Sequence, residues 1–514
     1  MKKYFLSLLV LGVCFNACKK SDDDSPTDIE EIDPPADGTN IVVQNFLWQT
    51  LNAYYFWQED VADLVDSKFT PQADYVDFLS QNPDPESFLK DKLLFSEDRF
   101  TFWSEDYKDL TNFLAGVSKS NGMEYFLTRP PEGGNKLIGV VRYIAKNSDA
   151  STKDIKRGDV FNAVDGVELF AEADAEGNIT SSNLNLLDPD TYTLNMVTLQ
   201  REELVSNGKE IILTKVENFQ EDPILVSNVL EVGDRKIAYL MYNQFQSGSG
   251  EELNDVFGGF IAAGATDLVL DLRYNGGGSG ATASILASLI YGTNTQDLFF
   301  KIAYNDKVAA LFEASDLEQN FVATTGAFDG NSNSALNTLN FNKVYILATS
   351  RSASASELVM VGLEPYLDVV HIGSTTVGKN QGSRTYVDDP ENGNNYSPQR
   401  EQFINPDNQW GIQPIISLVE NSVGFSEYTN GLLPDIEFTE TLRDLGTLGE
   451  VDEPFLARAI EEITGISAKR SISKSNQFAP MPIIKEPSLQ DPRRNKLILD
   501  HPIKSSKSSF LADK

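Results

Sequence analysis

The spacing of apolar residues changes several times along the chain, and each change marks a predicted boundary. From Ile41 to about Asp106, Phe46, Leu47, Leu51, Tyr54, Tyr55 and Trp57 recur at near-helical spacing. Pro85-Glu86 opens a second helix that runs to Leu94, so residues 41–107 are expected to form a small helical domain with the aromatic stripe as packing. Over 108–218 the apolar runs shorten: Phe126-Leu127, Ile138 to Ile144, Val160 to Val164 and Ile211 to Leu213, separated by polar, Gly-rich connections. That pattern predicts a β-rich domain.

Residues 219–465 read as an α/β domain. Ile237 to Leu240 and Leu268 to Leu272 are predicted strands, and Glu251 to Ala263 and Ala281 to Ile290 predicted helices. Gly292 to Asn340 is a polar connection carrying one helix around Asp306 to Glu318. Buried strands follow at Val344 to Ala348 and Val369 to Ile372, with a helix from Glu357 to about Tyr366 between them. Gly411 to Val419 is expected as one further strand, and Glu453 to Ile463 as the last helix. Residues 466–514 differ in kind, with ten Lys/Arg against four Asp/Glu and many Ser and Pro. They are expected to form an exposed basic tail without a chemical role, free or folded back on the acidic body.

Charge and cysteine content narrow the function classes. The 514 residues carry a formal charge of −34, which excludes nucleic acid as an expected partner because phosphate binding needs basic patches. Both cysteines, Cys14 and Cys18, lie near the start, and the two histidines, His371 and His501, are far apart. No disulfide framework and no Cys- or His-based metal site is expected. Residues 1–18 read as an export signal: Lys2-Lys3, an apolar Tyr4 to Phe15, then Asn16-Ala17-Cys18. Residues 19–40, rich in Asp, Glu and Pro, form a flexible acidic tether.

The chemistry concentrates in Lys343 to Ser383. Ser354 falls where a strand hands over to a helix, and Lys379 just beyond the end of a neighbouring strand. Backbone N–H groups at a helix start can hold a developing oxyanion. His371 sits in an apolar strand and His501 in the tail, so neither is a good base. A lysine can take that role if burial draws its pKa from about 10.4 toward 7–8. Gly276-Gly277-Gly278 follows a strand and precedes a helix, as in phosphate sites, but no Lys-Ser/Thr follows and GxGxxG spacing is absent. The glycines instead allow another backbone to approach.

Several motifs carry a family resemblance. Ser352-Ala353-Ser354-Ala355-Ser356-Glu357, Gly378-Lys379, Asp271-Leu272-Arg273-Tyr274-Asn275-Gly276-Gly277-Gly278 and Gly431-Leu432-Leu433-Pro434-Asp435 together resemble the S41 family of C-terminal processing peptidases. The 25 positions between Ser354 and Lys379 match that family's spacing. Lys156 to Gly166 (KRGDVFNAVDG) resembles a PDZ signature, and Asn121 to Phe126 its carboxylate-binding loop, with Glu124 where a small or apolar residue is usual. Ala17-Cys18 resembles a bacterial lipoprotein signal, with Cys18 lipidated.

The resemblance implies a crotonase/ClpP-like α/β S41 protease core with a β-rich PDZ-like domain and an N-terminal helical domain. It implies Ser354 as nucleophile and Lys379 as base, with Ser354 Oγ and Lys379 Nζ within hydrogen-bond reach. Oxyanion donors would come from Ala355 and the Gly277-Gly278 turn. The lysine would be oriented by Gln381 or Ser383, since Ser383 stands where the family often has Gln. Ser352 and Ser356 are read as helix caps, and Glu357 as support for the first helical turn. Gly122, Met123 and Tyr125 would bind substrate. Polypeptides, engaged through their C-termini, are the expected partners, and no cofactor or metal is expected. The membrane would be met through a lipid anchor in the envelope of a Gram-negative bacterium, facing the periplasm or the cell surface. Two function classes follow: an anchored serine endopeptidase, or a peptide-binding lipoprotein of weak or no activity on the same fold.

Overall fold

The computed structural model describes residues 39–466, apart from 131–132, 175–177, 201–202, 293, 329, 331–333 and 442–444, together with 483–486 and 492–499. The expected signal, with Cys14 and Cys18, most of the tether, and His501 lie outside the described residues.

Helix α1 (Val42–Tyr54) opens the described chain and buries Phe46, Leu47 and Leu51. These residues belong to the same hydrophobic core as Leu270, Leu286, Ile346 and Leu358 of the α/β region. The helical region is therefore seated on that core. Burying one such leucine contributes about 2–3 kcal/mol. The helix expected from Pro85 to Leu94 is regular only over Pro85–Phe88, and a wider turn continues over Leu89–Leu93.

The β-rich unit holds strands β1 (Met123–Thr128), β2 (Ile138–Ile144), β3 (Val160–Val164), β4 (Thr191–Gln200) and β5 (Glu203–Thr214), paired antiparallel in the order β5-β4-β3-β2-β1. Leu127, Val141, Phe161, Val164 and Leu194 form a core of its own. Arg157 ties this unit to the α/β region, donating to Glu440 at 2.6 Å and to the Tyr274 hydroxyl at 3.0 Å.

The α/β region comprises β6 (Ile224–Val232), β7 (Arg235–Tyr242), α2 (Gly250–Ala263), β8 (Asp267–Asp271), β9 (Gly277–Ser279), α3 (Gly280–Ile290), β10 (Leu298–Tyr304), β11 (Glu318–Asn320), β12 (Lys343–Ala348), α4 (Ala355–Leu363), β13 (Asp368–Gly373), β14 (Gln381–Ser383), β15 (Ile415–Asn421), β16 (Ile436–Glu437) and α5 (Pro454–Thr464). One sheet runs β6-β7-β8-β12-β13-β16, parallel from β7 onward. Its β8 and β12, apolar without alternation, are covered on both faces, as parallel strands are. Two expectations change here. The single strand over 411–419 is split at Pro414, so that 411–413 and 415–421 enter different sheets; a proline has no N–H to give a ladder. The helix around Asp306 to Glu318 is only Asp306–Ala309 plus a single turn at Ala314–Leu317, because Glu318 leaves to pair with β10.

The tail departs furthest from expectation. Residues 483–485 form β17, an added edge strand antiparallel to β1. Residues 496–498 form β18, which lies between β9 and β14 in a second sheet of order β9-β18-β14-β15-β10-β11. Residues 483–485 stay largely exposed at their sheet edge, whereas 496–498 are packed and Leu497 is wholly buried. Among the described residues no helix is long and apolar enough to cross a membrane.

Candidate active site

Ser354 stands at the handover from the β12 loop to α4, with φ 63° and ψ −112°. A non-glycine residue held there costs about 1–3 kcal/mol, so its surroundings must impose the geometry. They do so mainly through Glu357. Its buried carboxylate accepts the Ser354 N–H at 2.6 Å, the Gly378 N–H at 2.7 Å and the Lys379 N–H at 2.9 Å, and it also takes the Thr376 hydroxyl. Burial raises the Glu357 pKa, and these four donors work against that rise. Glu357 thus does more than steady a helical turn: it ties the backbones of Ser354 and Lys379 to one charge.

Lys379 is wholly buried, and burial draws its pKa down to about 7, against the opposing charges of Asp98 and Glu357. Its ammonium lies 4.9 Å from the centre of the Phe100 ring and donates to the Asn495 carbonyl at 2.8 Å. Ser354 Oγ is buried without a hydrogen-bond partner among the described residues. The bond expected between Ser354 Oγ and Lys379 Nζ is therefore not made while Asn495 holds the lysine.

Neither Gln381 nor Ser383 hydrogen-bonds the Lys379 side chain. Gln381 Oε1 is buried without a partner, and Ser383 Oγ donates to Leu497 O at 3.2 Å and accepts from Gln413 Nε2 at 3.1 Å. Both lie in β14, whose ladder with β15 fixes their direction. Ser352 and Ser356 do not cap α4. Their hydroxyls donate to Leu272 O at 2.8 Å and Asn275 O at 2.9 Å, lashing the serine loop to the end of β8. His371 has its ring nitrogens 3.2 Å from the carbonyls of Leu433 and Ala348, and burial lowers its pKa. Those contacts fit a structural role.

At the glycine turn, the Gly277 N–H donates to Asn275 Oδ1 at 2.8 Å and is thereby occupied. Gly278 has φ 142°, and a Cβ there would meet Phe245 O at 2.0 Å. The close backbone approach expected of the glycines is real, and one partner is β18: Gly277 pairs with Lys496 in parallel, and the Lys496 N–H donates to Gly276 O at 3.1 Å. That register turns the Lys496 carbonyl toward Gly278. Ala355, the first residue of α4, carries one of the N–H groups a helix start leaves without an internal acceptor. Gly122 and Met123 sit at the head of β1, and Tyr125 lies within it, facing the interior of the β-rich unit.

Several residues at the site carried no local sequence signal. Asp98, Arg99 and Phe100 come from the N-terminal region: Arg99 donates to Gly378 O at 3.2 Å and Thr429 O at 2.8 Å, steadying the lysine turn. Their aromatic and charged character looks like ordinary packing until the fold brings them to Lys379. Glu221 and Asn495 were equally hidden. Glu124, out of keeping with its loop, was the one visible hint.

Comparison with known proteins places the chain among the peptidases. Residues 236–423, which include Ser354 and Lys379, match the model of peptidase family S41, and residues 42–112 match that of the peptidase S41 N-terminal domain. The chain belongs to peptidase family S41. Among solved structures, an S41 protease from Bacteroides fragilis NCTC 9343 is 21% identical, with 82% of this chain and 97% of that one covered and a TM-score of 0.62. A photosystem II D1 C-terminal processing protease is 16% identical, with 81% and 96% covered and a TM-score of 0.43. No curated protein matches the chain.

Proposed function

We propose that the protein is a serine endopeptidase that hydrolyses exported polypeptides with a Ser354–Lys379 dyad. The observation that carries this reading is a buried lysine, drawn to about 7 by burial, on a turn tied through Glu357 to the backbone of a strained serine. Near neutral pH about half of such lysine is uncharged and can accept a proton. Ser354 Oγ attacks the scissile carbonyl as Lys379 takes its proton, and Lys379 then returns that proton to the leaving amine. The N–H of Ala355 and, once β18 leaves and frees it from the Lys496 carbonyl, that of Gly278 would hold the developing oxyanion; the Gly277 N–H is held by Asn275. Once Asn495 leaves, Lys379 Nζ is free to turn to Ser354.

The β-rich unit serves in this reading as a PDZ-like domain that recruits or gates substrate at the sheet edge headed by Gly122 and Met123. Lipidation at Cys18 anchors the protein in the cell envelope. The experiment is hydrolysis of an unfolded polypeptide by purified protein. Ser354→Ala and Lys379→Ala should each abolish it, whereas unchanged turnover in both variants overturns the proposal.

One observation favours a second reading, a peptide-binding protein without turnover: Lys379 Nζ donates to Asn495 O rather than engaging Ser354. Ser354-dependent appearance of a cleavage product rules it out.

A further inference from the structure

The cleft at Ser354 and Lys379 already holds a polypeptide, a segment of the same chain. Strand β18 fills the space between β9 and β14, so without it those two strands would have no ladder between them. The main chain of the segment is held by two backbone bonds, Lys496 N–H to Gly276 O at 3.1 Å and Leu499 N–H to Ser383 O at 3.0 Å, and by the Lys379 side chain, whose Nζ donates to Asn495 O at 2.8 Å. A Cβ placed on Gly277 would lie 2.4 Å from Lys496 O and 2.8 Å from Ser354 Cβ, so the tail backbone passes directly over the serine. Such contacts read backbone and would accept any extended chain.

Side chains supply selectivity. Arg494 is largely buried and reaches the β-rich unit, with a nitrogen 3.9 Å from the Glu124 carboxylate. The Tyr143 hydroxyl and the Glu221 carboxylate lie near enough to act on the charge of the guanidinium. Glu221 is fixed by the Tyr143 hydroxyl at 3.0 Å and by Asn243 at 3.5 Å. Two half-buried carboxylates beside one guanidinium favour a cation between them. Two residues on, the Lys496 ammonium donates to the carbonyls of Phe113 and Leu114 at 3.3 Å each and lies 4.8 Å from the centre of the Phe113 ring.

We propose that residues 492–499 occupy the cleft in the place of a polypeptide substrate as an intramolecular competitor, and that Glu124 and Glu221 form a subsite for an arginine or lysine side chain on the polypeptide that displaces them. The word substrate here rests on the peptidase reading; the binding does not. A tethered segment acts at an effective concentration on the order of millimolar, so even micromolar intrinsic affinity closes about 99.9% of the clefts. Only a polypeptide that matches both the strand and its basic side chain competes well.

The test uses the full chain carrying Ser354→Ala, so that nothing is turned over, and a labelled peptide of sequence PRRNKLILD followed by fluorescence anisotropy. With the tail intact the peptide should bind at least 30-fold more weakly than to the same protein with Leu497→Asp and Leu499→Asp, which eject β18. In that ejected form Glu221→Gln should weaken the parent peptide about tenfold, yet leave a peptide with methionine at its second arginine unaffected. Equal binding with and without ejection, or equal response of both peptides to Glu221→Gln, overturns the proposal. A second measurement covers the case of a misfolded double variant: a saturating excess of the parent peptide should accelerate amide exchange of 492–499 in the otherwise unaltered Ser354→Ala chain, and unchanged exchange also overturns it. Every arm reads binding without catalysis, so its failure leaves Ser354-dependent hydrolysis to be judged separately.

Discussion

Glu357 accepts the backbone N–H of Lys379 at 2.9 Å with the same oxygen that takes the Ser354 N–H at 2.6 Å. The backbones of Ser354 and Lys379, the nucleophile and base of the proposed dyad, are thus tied to one carboxylate. Glutamine at 357 would keep one acceptor and turn an NH2 group toward N–H donors. Hydrogen bonds to a charged group contribute about 1.5–3 kcal/mol each. Glu357→Gln is therefore expected to lower unfolding free energy by about 2–3 kcal/mol in urea titration and to reduce kcat at least a hundredfold, with KM changed less.

Burial holds Lys379 at about 7, while the unfolded chain should bind its proton up to about 10.4. Between those values the unfolded state carries a proton that the folded lysine lacks, so this residue's contribution to stability rises with pH across that window and its full cost applies near and below pH 7. The cost is about 5 kcal/mol at about 1.4 kcal/mol per unit. Lys379→Met should unfold later in urea than the parent at pH 7, by about 3 kcal/mol after loss of the Asn495 bond. The difference should shrink as the pH is raised toward 10. Hydrolysis by the parent protein should rise through a midpoint near pH 7, since only the neutral amine accepts the serine proton.

The serine loop, the lysine turn and the parallel strands were legible because each is written locally. Val344 to Ala348 is an apolar run of strand length, and Gly378-Lys379 follows a second such run at a fixed distance from Ser354. The helix over 306–318 failed because Glu318 is claimed by β10, a tertiary demand that helical spacing does not record. The tail failed for the same reason at longer range. Lys496 to Ile498 is three residues in a basic, Pro- and Ser-rich stretch, and it becomes a strand only because β9 and β14 present edges on both sides. Asp98 and Phe100 reach Lys379 across about 280 positions, a pairing that no local period encodes.

Phe100 is 5% exposed, and its ring shields the Lys379 ammonium. Phe100→Ala would admit water and let the lysine recover part of its ordinary basicity. The acid limb of the pH–rate profile should move up by about one unit, and Phe100→Leu should restore most of the shift. A purely structural role for Phe100 would change stability, by about 3–5 kcal/mol for the truncation, but leave the limb in place.

Gly278 combines φ 142° with a Cβ position 2.0 Å from Phe245 O, a backbone atom that cannot swing away. Gly278→Ala should therefore displace the glycine turn beside Ser354, the proposed oxyanion donor. The expected cost is about 3 kcal/mol or more in unfolding free energy, with a deeper loss of hydrolysis than of peptide affinity. Gly259, on α2, has open space around its Cβ position. Gly259→Ala should be neutral or mildly stabilising, since alanine favours a helix over glycine by about 1 kcal/mol.

Glu486 docks the first tail segment against two cations. It accepts from Arg142, which is 2% exposed, and from Arg351 Nε at 2.7 Å. Burial opposes its ionisation, but the two guanidinium groups prevail and hold its pKa below the ordinary carboxylate value. A depressed carboxylate contributes stability above its unfolded pKa and loses it as pH falls through the folded value. Docking of 483–486 should therefore persist at neutral pH and fail only below the usual carboxylate range. Glu486→Gln leaves Arg142 buried beside a neutral amide, and breaking a buried pair from one side costs about 3–5 kcal/mol. The tail can escape that cost by undocking, so release should precede unfolding. Hydrogen exchange should show 483–486 and the facing Leu127-Thr128 edge losing protection at pH 7 while α3 and β12 keep theirs. Arg142→Met combined with Glu486→Gln should recover part of that protection, since no charge is then left buried without its counterion.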